Sequence, residues 1–474
     1  MAKDALAEKL TEGRDSNGEC DSNSATIFPL ALTPFEKYFL WDDRPEQPLT
    51  PIIELHFSTR LNKEALGRAI ARVIAKNPTL NSIVVQTDGD WSWRLLDEPP
   101  RLWCPESEPL VVDGMLRPFD LSKEPGCRFW YEEYEAGSRV LWQLHHAATD
   151  GIGMRPVVID ILLHYAMETA SDGPERYERE LYCSRFRAAE LLRREDFSHL
   201  PKPKRSISTW QRIKNAHYFH FCSPTPLLGT GSSSATEAES ARVLCLASLD
   251  EDQSERVFAK CQSRELAIHE LAMALLFRTC AEWNRSLGDK NSRSHIRIMM
   301  PVDLRGRSDL RMPAANRLSF MFFGRSYRQC DDFPALLESV QKEFVSVKET
   351  QLYLDFMNAI TAATKWPKLM RWGLGRTNSM ATAVLTYVGD VTRGTNRAFP
   401  AENYTRPIGD ATLTAILGAP PVRRNTNVAI GLGVNWGKIH ISASWNRVAM
   451  TGRDCEKFLE LYKTGWQRWC EDEE

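Results

Sequence analysis

The segment Leu144-His145-His146-Ala147-Ala148-Thr149-Asp150-Gly151 separates two apolar stretches that have different periods. Apolar residues in 140–144 follow the period of two that is typical of a half-buried strand, whereas those in 154–165 recur at helical spacing. The pattern predicts a strand, a turn and a helix, with both histidines on the turn. Because neighbouring side chains at the end of a strand point to opposite faces, we expect one histidine to face a cavity and the other to face the core.

The residue types on this turn suit proton transfer. Neutral imidazole is the side chain best suited to accept a proton near neutral pH and to return it later in a reaction cycle. Asp150 is a candidate support for the imidazole, either by a hydrogen bond or by a buried ion pair that locks the turn. Gly151 leaves room at the backbone where a substrate would approach.

Two other interpretations of the turn remain open. A histidine at the end of a strand is commonly a satisfied core or surface residue, and a His-His-Asp set is also compatible with a metal site. We do not expect a metal here, because adjacent histidines diverge and no Cys/His cluster lies nearby in the sequence.

The segment matches every fixed position of the His-His-x-x-x-Asp-Gly signature, so it resembles the chloramphenicol acetyltransferase-like superfamily. That superfamily includes nonribosomal peptide synthetase condensation domains, wax ester synthases, polyketide-associated acyltransferases and plant BAHD acyltransferases. The resemblance implies that His146 is the catalytic base and that His145, Asp150 and Gly151 support the motif.

Further segments resemble elements of the same superfamily. Residues 117–128 resemble a Pro-Phe-Asp-Leu element that precedes the signature and supports the fold, and residues 387–390 resemble an Asn-Val-Gly-Asp element with Tyr387 in place of asparagine. Asn316 lies where relatives often have Asn-Gly or Gly-Asn, but Arg317 follows it here. The order of these segments implies that the resemblance extends over residues 27–470.

Residues 301–305 resemble a Pro-Val-x-x-Arg segment of wax ester synthases and condensation domains. The resemblance implies a salt bridge from Arg305 to Asp150 that ties two lobes together. The alternative is that Arg305 is a surface arginine in a run with Arg307 and Arg311.

Composition limits the class of protein. A chain of 474 residues exceeds one ordinary core, so two lobes are expected, and a net charge of -2 gives no overall attraction to nucleic acid or to anionic membranes. The 11 cysteines are odd in number and form no Cys-x-x-Cys pair, which favours reduced thiols and a cytoplasmic location. No window approaches the roughly 20 apolar residues that cross a bilayer, so any lipid contact would be peripheral.

The sequence predicts four regions. We expect a flexible tail over residues 1–26, an N-terminal lobe with the motif over 27–182, an interlobe linker over 183–241 and a C-terminal lobe over 242–474. Within the linker, a basic and aromatic stretch that ends near Tyr218 either meets a phosphate-bearing donor or is simply solvated.

The resemblance implies an α/β (α+β) fold of two chloramphenicol acetyltransferase-like lobes, each a mixed sheet with helices, arranged as a pseudo-dimer around an interlobe channel. The implied activity is transfer of an acyl group from acyl-coenzyme A or an acylated carrier protein to an alcohol or amine acceptor, without a metal or redox cofactor. No nucleic acid partner and no integral membrane segment are expected. The alternative is a noncatalytic binding module that recruits a carrier protein or a partner enzyme, and a third possibility is an epimerising or cyclising relative.

Overall fold

The computed structural model describes residues 25–106, 108–112, 115–170, 175–231, 243–291, 294–375, 379–392, 399 and 405–471. Nearly all of the predicted N-terminal tail lies outside these residues, as does the end of the predicted linker, residues 232–241.

The first half of the chain supplies short strands, one long hairpin and the helix that follows the motif. Its 3-10 helices are Ala25–Ile27, Pro78–Asn81, Cys183–Arg185 and Ala188–Arg193. Its strands and α-helices are, in order, β1 Leu30–Ala31, α1 Pro34–Asp42, β2 Ile52–Phe57, α2 Lys63–Ala75, β3 Ser82–Thr87, β4 Asp90–Leu95, β5 Leu102–Trp103, β6 Val111–Val112, β7 Met115–Leu116, β8 Cys127–Tyr134, β9 Gly137–Leu144, α3 Gly151–Thr169, α4 Glu175–Glu178 and α5 Thr209–Phe221.

The second half has longer strands and longer helices. Its 3-10 helices are Arg307–Arg311 and Tyr327–Cys330. Its strands and α-helices are β10 Cys245–Ser248, α6 Glu251–Ser263, α7 Ile268–Ser286, β11 His295–Asp303, β12 Leu318–Ser326, α8 Phe333–Thr350, α9 Tyr353–Ala363, α10 Pro367–Leu374, β13 Ala383–Asp390, β14 Arg406–Ile408, β15 Ala411–Ala419, β16 Val428–Asn435, β17 Lys438–Trp445 and α11 Gly452–Glu471.

Local sequence accounts for several element boundaries. Asn62 caps α2 by accepting hydrogen bonds from the first helical N–H groups, and Thr33 forms a capping box with Glu36 at the start of α1. Asp88 and Gly89 both have positive φ, as a two-residue hairpin turn between β3 and β4 requires. The sequence predicts a strand over 52–57 followed by a helix from Asn62, and a hairpin around Asp88-Gly89, and both predictions are confirmed.

Two six-stranded mixed sheets form the framework. The first has the order β14-β15-β2-β9-β8-β5 and the second has the order β10-β17-β16-β13-β11-β12. Both contain parallel and antiparallel neighbours, since β5 pairs parallel with β8, and β13 pairs parallel with β11 and β16. The predicted α/β architecture with two sheet-and-helix lobes is confirmed.

One connection exchanges strands between the halves. β14 and β15 belong to the second half of the chain, yet β15 pairs antiparallel with β2 and completes the first sheet, with Leu413 opposite Phe57. Composition predicted an unbroken C-terminal lobe from residue 242, and local patterns gave no sign of this pairing across more than 350 residues. The exchange adds backbone hydrogen bonds between the halves.

Two further differences from the sequence-based expectations concern packing. The predicted linker contains α5 and two 3-10 helices, and its Leu191 and Leu227 are fully buried. The sequence predicts one helix near 356–372, but the structure has two helices there, because Pro367 begins α10 after a break at residues 364–366. In contrast, the apolar residues almost all around the stretch 266–283 predict a central helix, and α7 confirms this by burying most of its residues in the core of the second sheet.

Candidate functional site

The motif occupies the turn between the predicted strand and helix. β9 ends at Leu144, and α3 begins at Gly151. Asp150 is the N-cap of α3, and its Oδ1 accepts a hydrogen bond from the N–H of Gly153 at 2.7 Å. The cap satisfies one of the unpaired N–H groups of the first helical turn, so the aspartate both ends the turn and starts the helix.

His145 faces the interior and is 1% exposed. Its Nδ1 accepts a hydrogen bond from the N–H of Ala147 at 3.1 Å, and its Nε2 lies 3.5 Å from Oδ2 of Asp43. Because Nδ1 is an acceptor, the hydrogen of the neutral ring lies on Nε2 and points toward Asp43. The ring also meets Phe119 edge to face, with centroids 6.0 Å apart. These contacts give His145 a structural position.

His146 is held through its backbone and its ring. Its N–H donates to the carbonyl of Leu49 at 2.9 Å, and its own carbonyl accepts a hydrogen bond from Nδ2 of Asn316. The imidazole lies flat on the ring of Phe39, with centroids 4.3 Å apart and planes 2° apart. Since Asn316 belongs to the second half of the chain, both halves fix the position of His146.

The surroundings of the His146 ring keep it neutral. Burial lowers its pKa to about 4, although the nearby carboxylate of Asp150 acts in the opposite direction. Nδ1 is buried and has no hydrogen-bond partner among the described residues. The imidazole is therefore unprotonated at neutral pH, and Nε2 is the nitrogen that remains for a ligand.

An aromatic cluster explains the burial of this ring. Phe39 contacts Phe35 and Phe320, with centroids 5.6 Å and 6.2 Å away, and Phe356 contacts Phe320 at 5.5 Å and Phe322 at 5.4 Å. Phe35 and Phe39 come from α1, whereas the other three come from β12 and α9. The cluster gives His146 an apolar environment built from both halves.

The carboxylate of Asp150 accepts hydrogen bonds from the second half of the chain. Nη1 of Arg305 lies 3.0 Å from it, and the backbone N–H of Arg317 donates to Oδ2 at 2.7 Å. The side chain of Asp150 is 3% exposed and that of Arg305 is 19% exposed. The ion pair implied by the resemblance is present, and Arg305 is not a free surface residue.

Arg305 is fixed by further partners. Its Nη2 donates to the carbonyl of Ala315 at 2.6 Å, and its Nη1 donates to Asp303 at 2.9 Å. Burial alone would lower the pKa of Arg305, but the carboxylates of Asp150 and Asp303 outweigh it and raise that pKa. Arg305 is therefore a permanent cation that anchors the N-terminus of α3 to the end of β11.

The glycine that packing requires is not the one in the motif. A Cβ on Gly151 would have no atom within 4 Å, whereas a Cβ on Gly153 would lie 2.9 Å from the carbonyl oxygen of Ala315 and from Nη2 of Arg305. Gly153 therefore allows α3 to approach the second half closely. Gly151 is exposed and has open space beside it, as expected for a position that a substrate approaches.

The segments 117–128 and 387–390, which also resemble elements of the superfamily, contribute hydrogen bonds that stabilise the fold. Arg128 is buried and donates to Glu124, to the carbonyl of Pro118 and to Gln143. The carbonyl of Asp390 accepts a hydrogen bond from Arg155 in α3, which adds a contact between the halves.

The alternative ligand sites receive less support. Within the part of the chain that the structure describes, no three His, Cys, Asp or Glu residues form a group that could hold a metal ion. In the basic and aromatic stretch, Arg212 forms an ion pair with Asp355, and Trp210 is 74% exposed. Phosphate binding by this stretch stays a prediction.

Sequence patterns missed several residues around His146. Phe39 and Asp43 lie about 100 residues before the motif and have no local signature, and the hydrogen bond from Arg317 uses its backbone rather than its side chain. The resemblance did point to Asn316, without indicating that its side chain bonds the carbonyl of His146.

No protein-family model matches the chain. Among curated proteins, a probable nonribosomal peptide synthetase, CymA of Salinispora arenicola, is 26% identical over 156 residues, which are 31% of this chain and 2% of that protein. The chain thus spans a small fraction of the length of the curated relative that it matches.

Solved structures match over almost the whole chain. The first condensation domain of the CDA synthetase has a TM-score of 0.57 at 13% identity, covering 93% of this chain and 96% of that one. The chain has the two-lobed condensation-domain fold. The epimerization domain from the third module of tyrocidine synthetase B has a TM-score of 0.56 at 14% identity, with the same coverage of 93% and 96%. The X-domain from teicoplanin biosynthesis has a TM-score of 0.55 at 17% identity, covering 94% and 96%.

At these identities the likeness concerns the fold alone. The three neighbours are described by three different roles, so the fold does not select an activity for this chain. The activity has to be inferred from the residues of the site.

Proposed function

We propose that the protein transfers an acyl group from a thioester donor to a hydroxyl or amine acceptor, with His146 as the general base. The observation that carries the proposal is the state of the imidazole: it is neutral, held in place by both halves of the chain, and left with Nε2 for a ligand. An unprotonated and immobilised imidazole is what proton abstraction from an acceptor requires.

In the proposed reaction the acceptor oxygen or nitrogen attacks the carbonyl carbon of the thioester while Nε2 of His146 takes its proton. The tetrahedral intermediate then collapses, the C–S bond breaks, and the imidazolium returns the proton to the leaving thiolate. The reaction as written consumes no metal ion and no redox cofactor. Donor and acceptor would approach His146 from opposite ends of an interlobe channel.

Asp150 has a structural role in this scheme. Its carboxylate already accepts hydrogen bonds from Gly153, Arg305 and Arg317, so it orients the turn rather than the imidazole. Its negative charge nevertheless favours the imidazolium that forms during the reaction, since it raises the pKa of His146 against the effect of burial.

The donor thiol is either coenzyme A or the phosphopantetheine of a carrier protein. The curated relative and the structural neighbours come from peptide synthetases, which supports a carrier protein as a partner of this chain. No disulfide joins the cysteines that the structure describes, which supports a reducing compartment such as the cytoplasm.

The test measures thiol release from acyl-coenzyme A and from an acylated carrier protein, with and without panels of alcohols and amines. We expect slow hydrolysis by the protein alone, faster release with a suitable acceptor, and a loss of about 10²- to 10⁴-fold in rate in His146→Ala. His440→Ala, which removes another partly buried histidine, is the matched control and should retain the rate. Near-normal turnover by a folded His146→Ala protein would contradict the assignment.

A second candidate function is a noncatalytic module that recruits a carrier protein or a partner enzyme. It is favoured by one observation: a pKa of about 4 makes His146 a weak base, and none of the described residues accepts or donates a hydrogen bond at its Nδ1. Measurable binding of a carrier protein, together with neither hydrolysis nor ester or amide formation across both donor types, would favour this candidate.

A further inference from the structure

The short helix α10 and the turn before it carry an unusual exposed surface. Trp366 is 61% exposed, Leu369 is 59% exposed and Trp372 is 62% exposed. In the same helix Met370 is buried, at 6% exposure, and packs in the hydrophobic core. Large apolar side chains are therefore exposed on a helix that already packs against the core of the protein.

Cations lie among these apolar side chains. Lys365, Lys368 and Arg371 are exposed next to them, and we call these three residues together with Trp366, Leu369 and Trp372 the α10 patch. Residues 356–389 contain no Asp or Glu, whereas the whole chain has a net charge of -2. The patch is thus a local positive surface on a slightly acidic protein.

The neighbouring helix extends the surface without adding charge. The exposed residues of α9 are Asn358, Ala359, Thr361 and Ala362, all of them small or uncharged. The one carboxylate of α9, Asp355, forms an ion pair with Arg212. No acidic side chain of α9 or α10 therefore opposes an anionic partner at the α10 patch.

We propose that the α10 patch docks the protein on the surface of an anionic phospholipid bilayer. Tryptophan combines an apolar ring with a polar N–H and concentrates at membrane interfaces, and flanking lysine and arginine attract anionic headgroups. Each of the three apolar side chains is about 60% exposed, which suits insertion between headgroups better than it suits the binding of a protein helix in a groove. The contact is peripheral, since none of the helices in the described residues is long and apolar enough to span a bilayer.

The docked helix needs no folding step on binding. Arg371 lies over the ring of Trp41 in α1, with 5.3 Å from the guanidinium carbon to the ring centroid, and Met370 is buried in the same hydrophobic core as Trp41. An isolated eight-residue helix would be unstable in water, but this one is already formed by packing. The binding free energy is therefore not reduced by the entropy of ordering the helix.

The test is sedimentation of the full chain with vesicles of phosphatidylcholine alone and of phosphatidylcholine mixed with phosphatidylglycerol. We expect binding to the mixed vesicles, with a salt dependence. Lys365→Gln combined with Lys368→Gln should weaken it about 25-fold, at about fivefold for each cation removed. Trp366→Ser combined with Leu369→Ser and Trp372→Ser should abolish it.

Matched controls distinguish binding through the α10 patch from binding through exposed charges or exposed apolar side chains elsewhere on the protein. Leu310→Ser with Val448→Ser removes apolar side chains that are 70% and 60% exposed elsewhere, and Lys123→Gln with Lys342→Gln removes two exposed cations elsewhere. Both controls should bind as the unchanged protein does. Circular dichroism and thermal melting would verify that every variant is folded.

A second readout does not depend on sedimentation. Brominated lipids should quench the tryptophan fluorescence of the unchanged protein, and most of this quenching should disappear in Trp366→Phe with Trp372→Phe. The proposal is overturned if the protein does not bind mixed vesicles, if the patch variants still bind them, or if an acidic carrier protein binds through the patch while vesicles do not.

Discussion

At the scale of single residues, the site separates the residue proposed for chemistry from those that hold the turn. The carboxylate of Asp150 accepts hydrogen bonds from the N–H of Gly153, from Arg305 and from the backbone N–H of Arg317. The ring of His145 contacts Asp43 and accepts a hydrogen bond from the N–H of Ala147. Of the two histidines in the motif, His146 is the partly accessible one, and its ring is neutral. The signature therefore contains one candidate base, and His145 and Asp150 hold the turn on which it lies.

The low pKa of His146 predicts the acid limb of the pH profile. In the proposed reaction the neutral imidazole is the active form. Because burial lowers its pKa to about 4, kcat/KM should stay level as the pH falls through 6.5 and should decline only near pH 4. An unperturbed histidine would already lose half of its base form at about pH 6.5. An acid limb centred near pH 6.5 in initial-rate measurements would rule out this buried state.

The same pKa shift links His146 to stability. Between pH 4 and 6.5 the unfolded chain binds the proton and the folded chain does not, so this group's contribution to the free energy of unfolding rises with pH and is lost as the pH falls. Burial also lowers the pKa of His295 and of His440 to about 4. The difference in the free energy of unfolding between the unchanged protein and His146→Gln, measured as a function of pH, isolates the contribution of His146.

The two nearby glycines should respond differently to alanine. Gly153→Ala places a methyl group against the carbonyl of Ala315 and against Arg305, and should cost about 1–3 kcal/mol of stability. The added methyl group of Gly151→Ala meets no atom, so the stability of this variant should change by less than about 1 kcal/mol. Its kcat/KM should nevertheless fall, because Gly151 lies where the substrate is proposed to approach. Equal losses in melting temperature for the two variants would contradict the packing argument.

The sequence allowed prediction of part of this site. Strand and helix periodicity located the turn, and the resemblance supplied the roles proposed for His146, Asp150 and Arg305. The sequence could not predict the contacts of Phe39 and Asp43 with the motif, because these contacts join segments about 100 residues apart and depend on how α1 packs. Nor could it show that the close approach of α3 requires Gly153 rather than Gly151.

At the scale of elements, Arg305 joins the N-terminus of α3 to the end of β11. If the pair is coupled, Asp150→Asn and Arg305→Gln should each cost about 2 kcal/mol, with a coupling energy of about 1–2 kcal/mol in the double variant. These values allow for the partial exposure of Arg305, whose side chain is 19% accessible. Urea unfolding of the four proteins measures the cycle.

The neighbouring arginine provides a control for this cycle. Arg307 is exposed and belongs to the run that offered the alternative interpretation. Asp150→Asn combined with Arg307→Gln should show additive effects. Additive effects in the Arg305 cycle as well would exclude a stabilising bridge between these two elements.

Helices and strands were predicted correctly where the spacing of apolar residues and the capping or turn residues indicated the same element. Local patterns predict a helix from Asn62, helices near 251–262 and 266–283, and a hairpin with its turn at 435–438. The helices α2, α6 and α7 and the β16–β17 hairpin confirm these predictions. The burial of Leu191 and Leu227 in the predicted linker could not be predicted, because it depends on surfaces supplied by distant segments. The prediction failed at the helix expected over 356–372, where Pro367 is compatible with a helical pattern but begins a new helix.

At the scale of the whole molecule, the strand exchange makes the two sheets interdependent. β15 completes the first sheet next to β2, and the chain then enters β16 in the middle of the second sheet. A buried ion pair between Asp42 in α1 and Arg423, just beyond β15, adds a second tie. The first sheet therefore cannot separate from the second without loss of the β15–β2 hydrogen bonds.

This interdependence predicts a single unfolding transition. Leu413 in β15 is fully buried in the core of the first sheet, and Leu432 in β16 is fully buried in the core of the second. Leu413→Ala and Leu432→Ala should each cost about 2–5 kcal/mol, and each should move the same transition. Hydrogen exchange followed by mass spectrometry in urea should show that peptides from β2 and from β16 lose protection together. Independent lobes would instead give two transitions, with Leu413→Ala affecting only peptides of the first sheet and Leu432→Ala only those of the second.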